Sequence, residues 1–76
     1  MKLNEFVSVL NGVDVLVINF SNNEIIYKGR SSGIKLNAKM FKNYDIVEVF
    51  SGDKDDYYDL EIDVIEGVRK WLERAY

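Results

Sequence analysis

The chain has 76 residues, of which 47% are hydrophobic and 30% charged, and its formal net charge is −3. These values are typical of one small globular domain spanning residues 1–76 and argue against disorder. The sequence has no cysteine and no histidine, which excludes disulfides, the usual zinc sites and hydrolases with a histidine base. We therefore expect a protein that is not an enzyme and needs no cofactor.

The sequence has neither a membrane-spanning run nor a signal-peptide pattern, and this indicates the location of the protein. No apolar run approaches the roughly 20 residues that cross a bilayer, and the segment before Val13 lacks the unbroken apolar stretch of a signal peptide. We expect a cytoplasmic protein that does not bind a membrane.

The first half of the sequence predicts a helix followed by a β-hairpin. Apolar residues recur with helical spacing at the start of the chain, so we expect a short helix over about residues 3–11. Residues 13–20 are rich in β-branched side chains and predict the first strand, and residues 24–28 predict the second. Between them, Ser21–Asn23 supplies residues that tolerate the positive φ of a tight turn.

The next part of the sequence predicts a linker and a second hairpin. Residues 29–33 have the composition of a loop, and residues 37–44 fit a turn or two of helix. Residues 45–51 and 57–62 predict the third and fourth strands. In the fourth strand, one side is expected to enter the core and the other to carry charge: Tyr58, Leu60 and Ile62 alternate with Tyr57, Asp59 and Glu61.

The end of the sequence predicts a closing helix. Asp63 fits the cap position of a helix, with Glu66 three residues later where a capping-box carboxylate is found. The predicted order is helix, two strands, short helix, two strands and helix. This order is typical of an α+β domain with a four-stranded antiparallel sheet and helices packed on one face.

Residues 29–33 also match the G-x-S-x-G pattern of a nucleophile elbow, with Ser31 at its centre. We interpret the match as accidental, because such an elbow needs a strand-to-helix turn in a large α/β sheet and a histidine base. A serine activated by Lys28 or Lys35 is an alternative that rests only on proximity in sequence. We expect a flexible connection between the hairpins.

Charge is segregated along the chain. Residues 28–43 carry five cations and no acid, whereas residues 44–66 carry nine carboxylates and one lysine. The basic stretch could contact phosphates, with Tyr27 or Phe41 stacking on bases, but the net charge is negative and no nucleic-acid-binding motif is present. We keep a nucleic-acid-binding accessory protein as an alternative, and its candidate residues are Lys28, Arg30, Lys35, Lys39 and Lys42.

The acidic stretch is densest between residues 51 and 63, which hold six of the thirteen carboxylates. Carboxylates on alternate strand positions lie about 6.7 Å apart, the order of the spacing between neighbouring phosphates. We hypothesise that this surface binds a basic, nucleic-acid-binding groove of another protein, with Tyr57 as an aromatic anchor. The predicted partner-binding residues are Asp53, Asp55, Asp56, Tyr57, Asp59 and Glu61.

Three other interpretations of the sequence stay open. The acids can serve solubility and protect a sheet edge from aggregation. Asp53, Asp55 and Asp56 can form a weak divalent-cation site, although an EF-hand is excluded because Tyr58 occupies the position of its obligatory glycine. The chain can also be a structural domain that forms a homodimer through Trp71, Tyr76 and a sheet edge.

A resemblance to known proteins rests on the sequence pattern of the strands and turns in the hairpins. The features that carry the resemblance are the pattern Asp14-Val15-x-Val17, the stretch from Glu24 to Gly29, a short helical linker and Asp45-Ile46-Val47. In these features the chain resembles small uncharacterised proteins of phages and mobile elements of Gram-positive bacteria. The similarity covers about residues 3–50 and transfers no functional residue. It implies a small accessory protein, and many such phage proteins bind and block a host defence protein, anti-CRISPR proteins among them.

Overall fold

The computed structural model describes residues 1–52 and 57–67. Within these ranges the chain is an α+β domain of three short helices and a four-stranded sheet, which confirms the predicted fold class. The helices are α1 (Leu3–Val7), α2 (Ser31–Leu36) and α3 (Ala38–Phe41), and the strands are β1 (Asp14–Asn19), β2 (Ile25–Arg30), β3 (Tyr44–Ser51) and β4 (Leu60–Glu66).

The sheet is mixed, which corrects the prediction of an antiparallel sheet. Its strand order is β2-β1-β4-β3, with β1 and β4 running parallel in the centre. The pairs β1/β2 and β3/β4 are antiparallel hairpins. Because α2 and α3 carry the chain from one edge of the sheet to the other, the second hairpin returns with β4 against β1. The sequence patterns of β1 and β4 do not reveal in which direction the two strands pair.

The helices that the structure describes pack on one face of the sheet, which we call the covered face. Its strands contribute Val15, Val17, Ile62 and Val64, all without solvent exposure. The helices contribute Leu3, Val7, Ile34 and Phe41 to the same cluster. Burying one such aliphatic side chain stabilises the fold by about 1.5–3 kcal/mol, so this small cluster supplies most of the driving force for folding.

The first hairpin follows the sequence prediction closely. Leu3 and Val7 of α1 are buried and Leu10 packs against the core, although the helix ends at Val7 and does not reach residue 11. The shortening follows from the need to enter β1, because Leu10 already donates its amide to Val7 in a turn. In the hairpin turn, Asn23 has φ +59°, as its residue type predicts.

The connection after β2 is a helix, and the prediction of a flexible loop over residues 29–33 is wrong. Gly29 belongs to β2, and Ser31 begins α2 immediately after the strand. The glycine at Gly33 serves a close tertiary contact, because a Cβ there would collide with the Tyr27 hydroxyl. That hydroxyl donates a 2.7 Å hydrogen bond to the carbonyl of Arg30, the last residue of β2 before α2 begins. In the following segment, α3 confirms the predicted helical turn.

The motif residue Ser31 therefore does lie at a strand-to-helix turn, where the sequence predicts a flexible connection. The sheet around it is small, and Ser31 is only 1% exposed. Its backbone amide donates to the Val13 carbonyl at 2.9 Å. The Lys35 ammonium, one of the two proposed bases, donates at 2.6 Å to the Leu10 carbonyl.

The last strand begins later and runs further than the sequence predicts. β4 spans Leu60–Glu66, so Asp63 lies in the middle of a strand and caps no helix. The reason is tertiary: Leu60 to Val64 pair residue by residue with β1, which outweighs the local capping pattern. The predicted helix beyond Glu66 and the acidic turn at residues 53–56 lie outside the described residues, apart from Gly67.

Candidate functional site

Besides Asp14 and Asp45, which are held in ion pairs, the side of the sheet opposite the covered face carries three carboxylates, which we call the acidic face: Glu48, Glu61 and Asp63. Strand register places them together. Glu61 and Asp63 alternate along β4 with the buried Ile62 and Val64, so their side chains project to the other side. Glu48 of β3 is directly opposite Asp63, on the same side of the sheet.

The pairing of Glu48 with Asp63 is unfavourable for the fold. Like charges at directly opposed strand positions destabilise a sheet by a few tenths of a kcal/mol up to about 1 kcal/mol. Asp63 is half-buried, and within the described part of the chain its buried Oδ1 accepts no hydrogen bond. A sequence selected for stability alone would place an opposite charge or an apolar side chain at one of these positions.

The acidic face is bordered by an exposed aromatic ring. Phe50 of β3 is paired with Glu61 and is 45% exposed. On the other side of Glu61 lies Leu16 of β1, and Lys28 of β2 lies beyond it. Adjacent strands are about 4.8 Å apart, so the backbones of Lys28 and Glu61, which are separated by β1, are about 10 Å apart. The face therefore has an acidic half on β3 and β4 and a basic edge on β2.

The basic edge is engaged with other groups. The Lys28 ammonium lies 5.8 Å from the centre of the Tyr57 ring, within cation–π range. Arg30 Nε is 3.5 Å from the Asp14 carboxylate, and its Nη1 donates to the Gly12 carbonyl. The described part of the chain contains one other ion pair, between Lys2 and Asp45, and neither pair involves Glu48 or Asp63.

The structure separates the three predicted binding residues that it describes. Tyr57 is 86% exposed, before the strand begins. The Asp59 carboxylate turns toward β1, where it accepts the Asp14 amide at 2.9 Å. Glu61 is half-buried on the acidic face, with the Tyr58 hydroxyl 3.5 Å from its Oε1. Strand alternation thus unites Glu61 with Asp63 and Glu48, and the other predicted residues, Asp53, Asp55 and Asp56, lie outside the described residues.

Sequence reasoning missed Glu48 and Asp63 for different reasons. The local pattern predicts a helix cap at Asp63, although Asp63 also continues the alternate strand positions of Asp59 and Glu61. Glu48 lies in a stretch of alternating residues whose orientation depends on a bulge between Ile46 and Glu48, and a bulge inverts the facing of every residue after it. The only sequence signal was the excess of acids over residues 44–66.

The basic residues of the nucleic-acid alternative do not form one surface. Lys28 and Arg30 pair with Leu16 and Asp14 of β1, and they project to the same side of the sheet as the acidic face. Lys35, Lys39 and Lys42 lie on or next to α2 and α3, which pack on the covered face. The sheet therefore separates these cations into two groups, and a single strand of nucleic acid would have to pass around the domain to contact both.

One ionisable group near the end of β3 has a shifted pKa. Tyr44 is half-buried and opposite Glu66 in the strand register. Burial, and then the negative charge of Glu66, raises the pKa of Tyr44 above its usual value of 10.0. The hydroxyl stays neutral at physiological pH, so Tyr44 contributes packing and no charge.

Two kinds of feature are absent from the described ranges: a cluster of metal ligands and a membrane-crossing helix. Among residues 1–52 and 57–67, no three carboxylates are grouped closely enough to bind a metal ion together. None of the helices within these ranges has the length and apolar character that crossing a bilayer requires.

Comparison with known proteins adds no relative. No protein-family model, no curated protein and no solved structure matches the chain. The acidic face and its surroundings are therefore the features of the molecule that indicate a function.

Proposed function

We propose that this chain is a small protein-binding module that docks its acidic face on a basic site of another protein and blocks that site. The observation that carries the proposal is the cross-strand pair of Glu48 and Asp63. A pair that costs stability is expected where a residue serves binding, because functional sites are where local rules of folding are broken.

The surroundings of the pair support the same function. Glu48 is exposed at the rim of the face, and Phe50 presents an exposed ring beside it. Carboxylates steer the approach of a basic partner, and an aromatic side chain that becomes buried supplies affinity. This combination fits a protein partner better than a metal ion, which would need the oxygen ligands to converge.

The resemblance to phage and mobile-element proteins adds a partner class to the proposal. On that basis the partner is a protein of the host bacterium whose basic site normally binds nucleic acid, and the chain acts as an inhibitor of the anti-CRISPR or anti-defence kind. The phage origin stays a prediction. The acidic character of residues 44–66 supports this origin only indirectly, because an acidic surface is complementary to a basic site that binds nucleic acid.

The experiment compares two variants that change the net charge equally. Glu48→Gln with Asp63→Asn removes two charges from the acidic face, and Glu5→Gln with Glu24→Gln removes two exposed charges from α1 and the β1–β2 turn. Proteins captured from a Gram-positive lysate are identified, purified and titrated against the wild type and both variants. We expect the first variant to weaken binding at least tenfold and the second to weaken it less than about threefold.

Equal loss in both variants would show that net charge alone is responsible, and no loss in the first variant would refute the proposed function. Circular dichroism and thermal unfolding of both variants establish that each retains its fold.

A further inference from the structure

The outer edge of β3 is open along part of its length. This strand is at the end of the sheet order and pairs with β4 on its inner side. Within residues 1–52 and 57–67, the only pairing on its outer side is a short antiparallel bridge between Lys2 and Asp45. From Val47 to Ser51, the described part of the chain provides no strand partner for the outer edge.

The bridge at the start of this edge shows which kind of segment fits there. The Ile46 amide donates to the Met1 carbonyl at 2.9 Å, so Met1 and Lys2 are attached as a short antiparallel extension of the sheet. The Lys2 ammonium then lies 3.3 Å from the Asp45 carboxylate. An extended segment with a lysine is thus already held on β3 by one backbone hydrogen bond and one ion pair.

The open part of the edge also offers a carboxylate on one side of the sheet, and it offers an apolar side chain on the other. Glu48 and Phe50 project to the acidic face, as their pairing with Asp63 and Glu61 shows. Val49 is paired with the buried Ile62 and projects to the covered face, where it is still 40% exposed. A strand added here would have residues beside Glu48 on one side and residues beside Val49 on the other.

We propose that β3 accepts an extended segment of the partner protein in which lysine or arginine alternates with aliphatic residues. The basic side chains contact Glu48 and the acidic face, and the aliphatic side chains cover Val49. Backbone hydrogen bonds to β3 between Val47 and Ser51 supply affinity, as in other cases of strand addition. This inference rests on the proposed function and specifies how the partner is bound.

A bulge in β3 limits the length of the added strand. The bulge between Ile46 and Glu48 interrupts regular pairing next to the Met1–Lys2 bridge. A bulge on an edge strand normally discourages uncontrolled pairing. The segment that binds is therefore short, and its charge pattern must match that of the acidic face.

The test uses the complete chain and two short synthetic peptides in which lysine and valine alternate. One peptide has ordinary amides, and the other is N-methylated at alternate residues so that it keeps its charges but cannot donate from one edge. We expect the ordinary peptide to bind at least tenfold more tightly, because the N-methylated peptide loses several backbone hydrogen bonds to β3. Amide hydrogen exchange, followed by NMR, should slow at least tenfold at one or more residues between Val47 and Ser51.

Two variants locate the contact. Phe50→Ala removes the exposed ring beside the edge and should weaken the ordinary peptide several-fold. Leu36→Ala removes an 85% exposed side chain of α2, the helix that follows directly after β2 at the opposite edge of the sheet, so it should change the affinity by less than about twofold.

Three results would overturn the proposal. Equal affinity for the two peptides, lost at high salt, would mean that charge attracts the partner to the acidic face without strand addition, and the proposed function would stand. Self-association of the protein through β3, competing with the peptide, would mean that a second copy occupies the edge. Unchanged exchange at Val47 to Ser51 with saturating peptide would mean that the edge takes no strand. The proposed function is judged separately, by the paired charge variants and the purified partner.

Discussion

The two faces of the sheet are formed by the same strands, but one carries buried aliphatic side chains and the other carries opposed carboxylates. On the covered face, β4 contributes Ile62 and Val64, which are fully buried against the helices. On the acidic face, the residue between them is Asp63, which is opposite another carboxylate. Because neighbouring residues of one strand differ so sharply, the requirements of folding and of binding can be separated by substitution.

The difference in magnitude decides which face maintains the fold. Each fully buried aliphatic side chain of the covered face contributes about 1.5–3 kcal/mol, and the like-charge pair on the acidic face costs less than about 1 kcal/mol. The fold therefore tolerates the unfavourable pair. Substitutions of the buried aliphatic side chains of the covered face should lower stability, and substitutions that neutralise Glu48 or Asp63 should alter binding while raising stability slightly.

The largest expected effect is on the covered face. Ile62→Ala removes a side chain that has no solvent exposure at the centre of the core, and we expect it to lower the free energy of unfolding by about 3 kcal/mol. Urea denaturation followed by circular dichroism measures this change.

Ile25→Ala provides the matched control, because Ile25 is also in a strand but is 63% exposed. It should cost less than about 1 kcal/mol, mainly from strand propensity. Similar costs at the two positions would mean that the covered face is assigned to the wrong side of β4.

A smaller effect is expected where α2 meets the sheet. Gly33→Ala should normally stabilise a helix by about 1 kcal/mol. Here the new Cβ would collide with the Tyr27 hydroxyl, and the Tyr27 ring is held by an edge-to-face contact with Phe41 at 5.7 Å. We expect Gly33→Ala to lower the free energy of unfolding by about 1–2 kcal/mol.

A double-mutant cycle separates the collision from other causes. Tyr27→Phe removes the hydroxyl, so Gly33→Ala should cost clearly less in that background than in the wild type. An equal cost in both backgrounds would show that the Tyr27 hydroxyl is not what requires a glycine.

On the acidic face, the sign of the effect should be reversed. Glu48→Gln relieves the repulsion with Asp63 and should raise the free energy of unfolding by about 0.5 kcal/mol at low salt. The gain should shrink as salt is added, because Glu48 is exposed and its interactions are screened.

Glu24→Gln, in the exposed β1–β2 turn, is the control and should leave stability nearly unchanged. If Glu48→Gln destabilises the protein, Glu48 is part of a stabilising interaction and the central argument for a binding role is lost.

The smallest effect concerns the alkaline limit of stability. Because the pKa of Tyr44 is raised in the folded protein, the unfolded chain loses this proton first as the pH rises. The contribution of Tyr44 is fully present below pH 10.0 and is lost as the pH rises through the folded pKa. Melting temperatures of the wild type and of Tyr44→Phe, measured from about pH 9 to 12, should diverge in this range.

The variant should lose less stability than the wild type over that range, and Tyr57→Phe, which changes an exposed ring, should follow the wild type. Glu66→Gln should reduce the decline in part, since burial and not Glu66 is the larger cause of the raised pKa. Parallel curves for the wild type and Tyr44→Phe would contradict the assigned environment.

The sequence predicted those parts of the fold that local patterns determine. The apolar spacing of Leu3 and Val7, the β-branched β1 and the turn at Asn23 are all confirmed, because each depends on neighbours in sequence. Gly33 looked like part of a loop because its reason, the Tyr27 ring, comes from another element. Asp63 looked like a helix cap because pairing with β1 is not visible in the local pattern.

The candidate site was predicted only in outline. An excess of acid over residues 44–66 indicated the right part of the chain, and Glu61 is on the face that the structure assembles. The partnership of Glu61 with Asp63 and Glu48 depends on strand order and on a bulge. Neither of these is encoded in composition or in spacing along one strand.

The most direct test of the acidic face is zero-length carbodiimide cross-linking to the purified partner, which joins carboxylates to lysines that touch them. Mass spectrometry should find cross-links at Glu48, Glu61 or Asp63, and these should disappear in the Glu48→Gln with Asp63→Asn variant together with binding. Cross-links confined to Glu5 and Glu24, with the acidic face unmodified in the complex, would contradict the account.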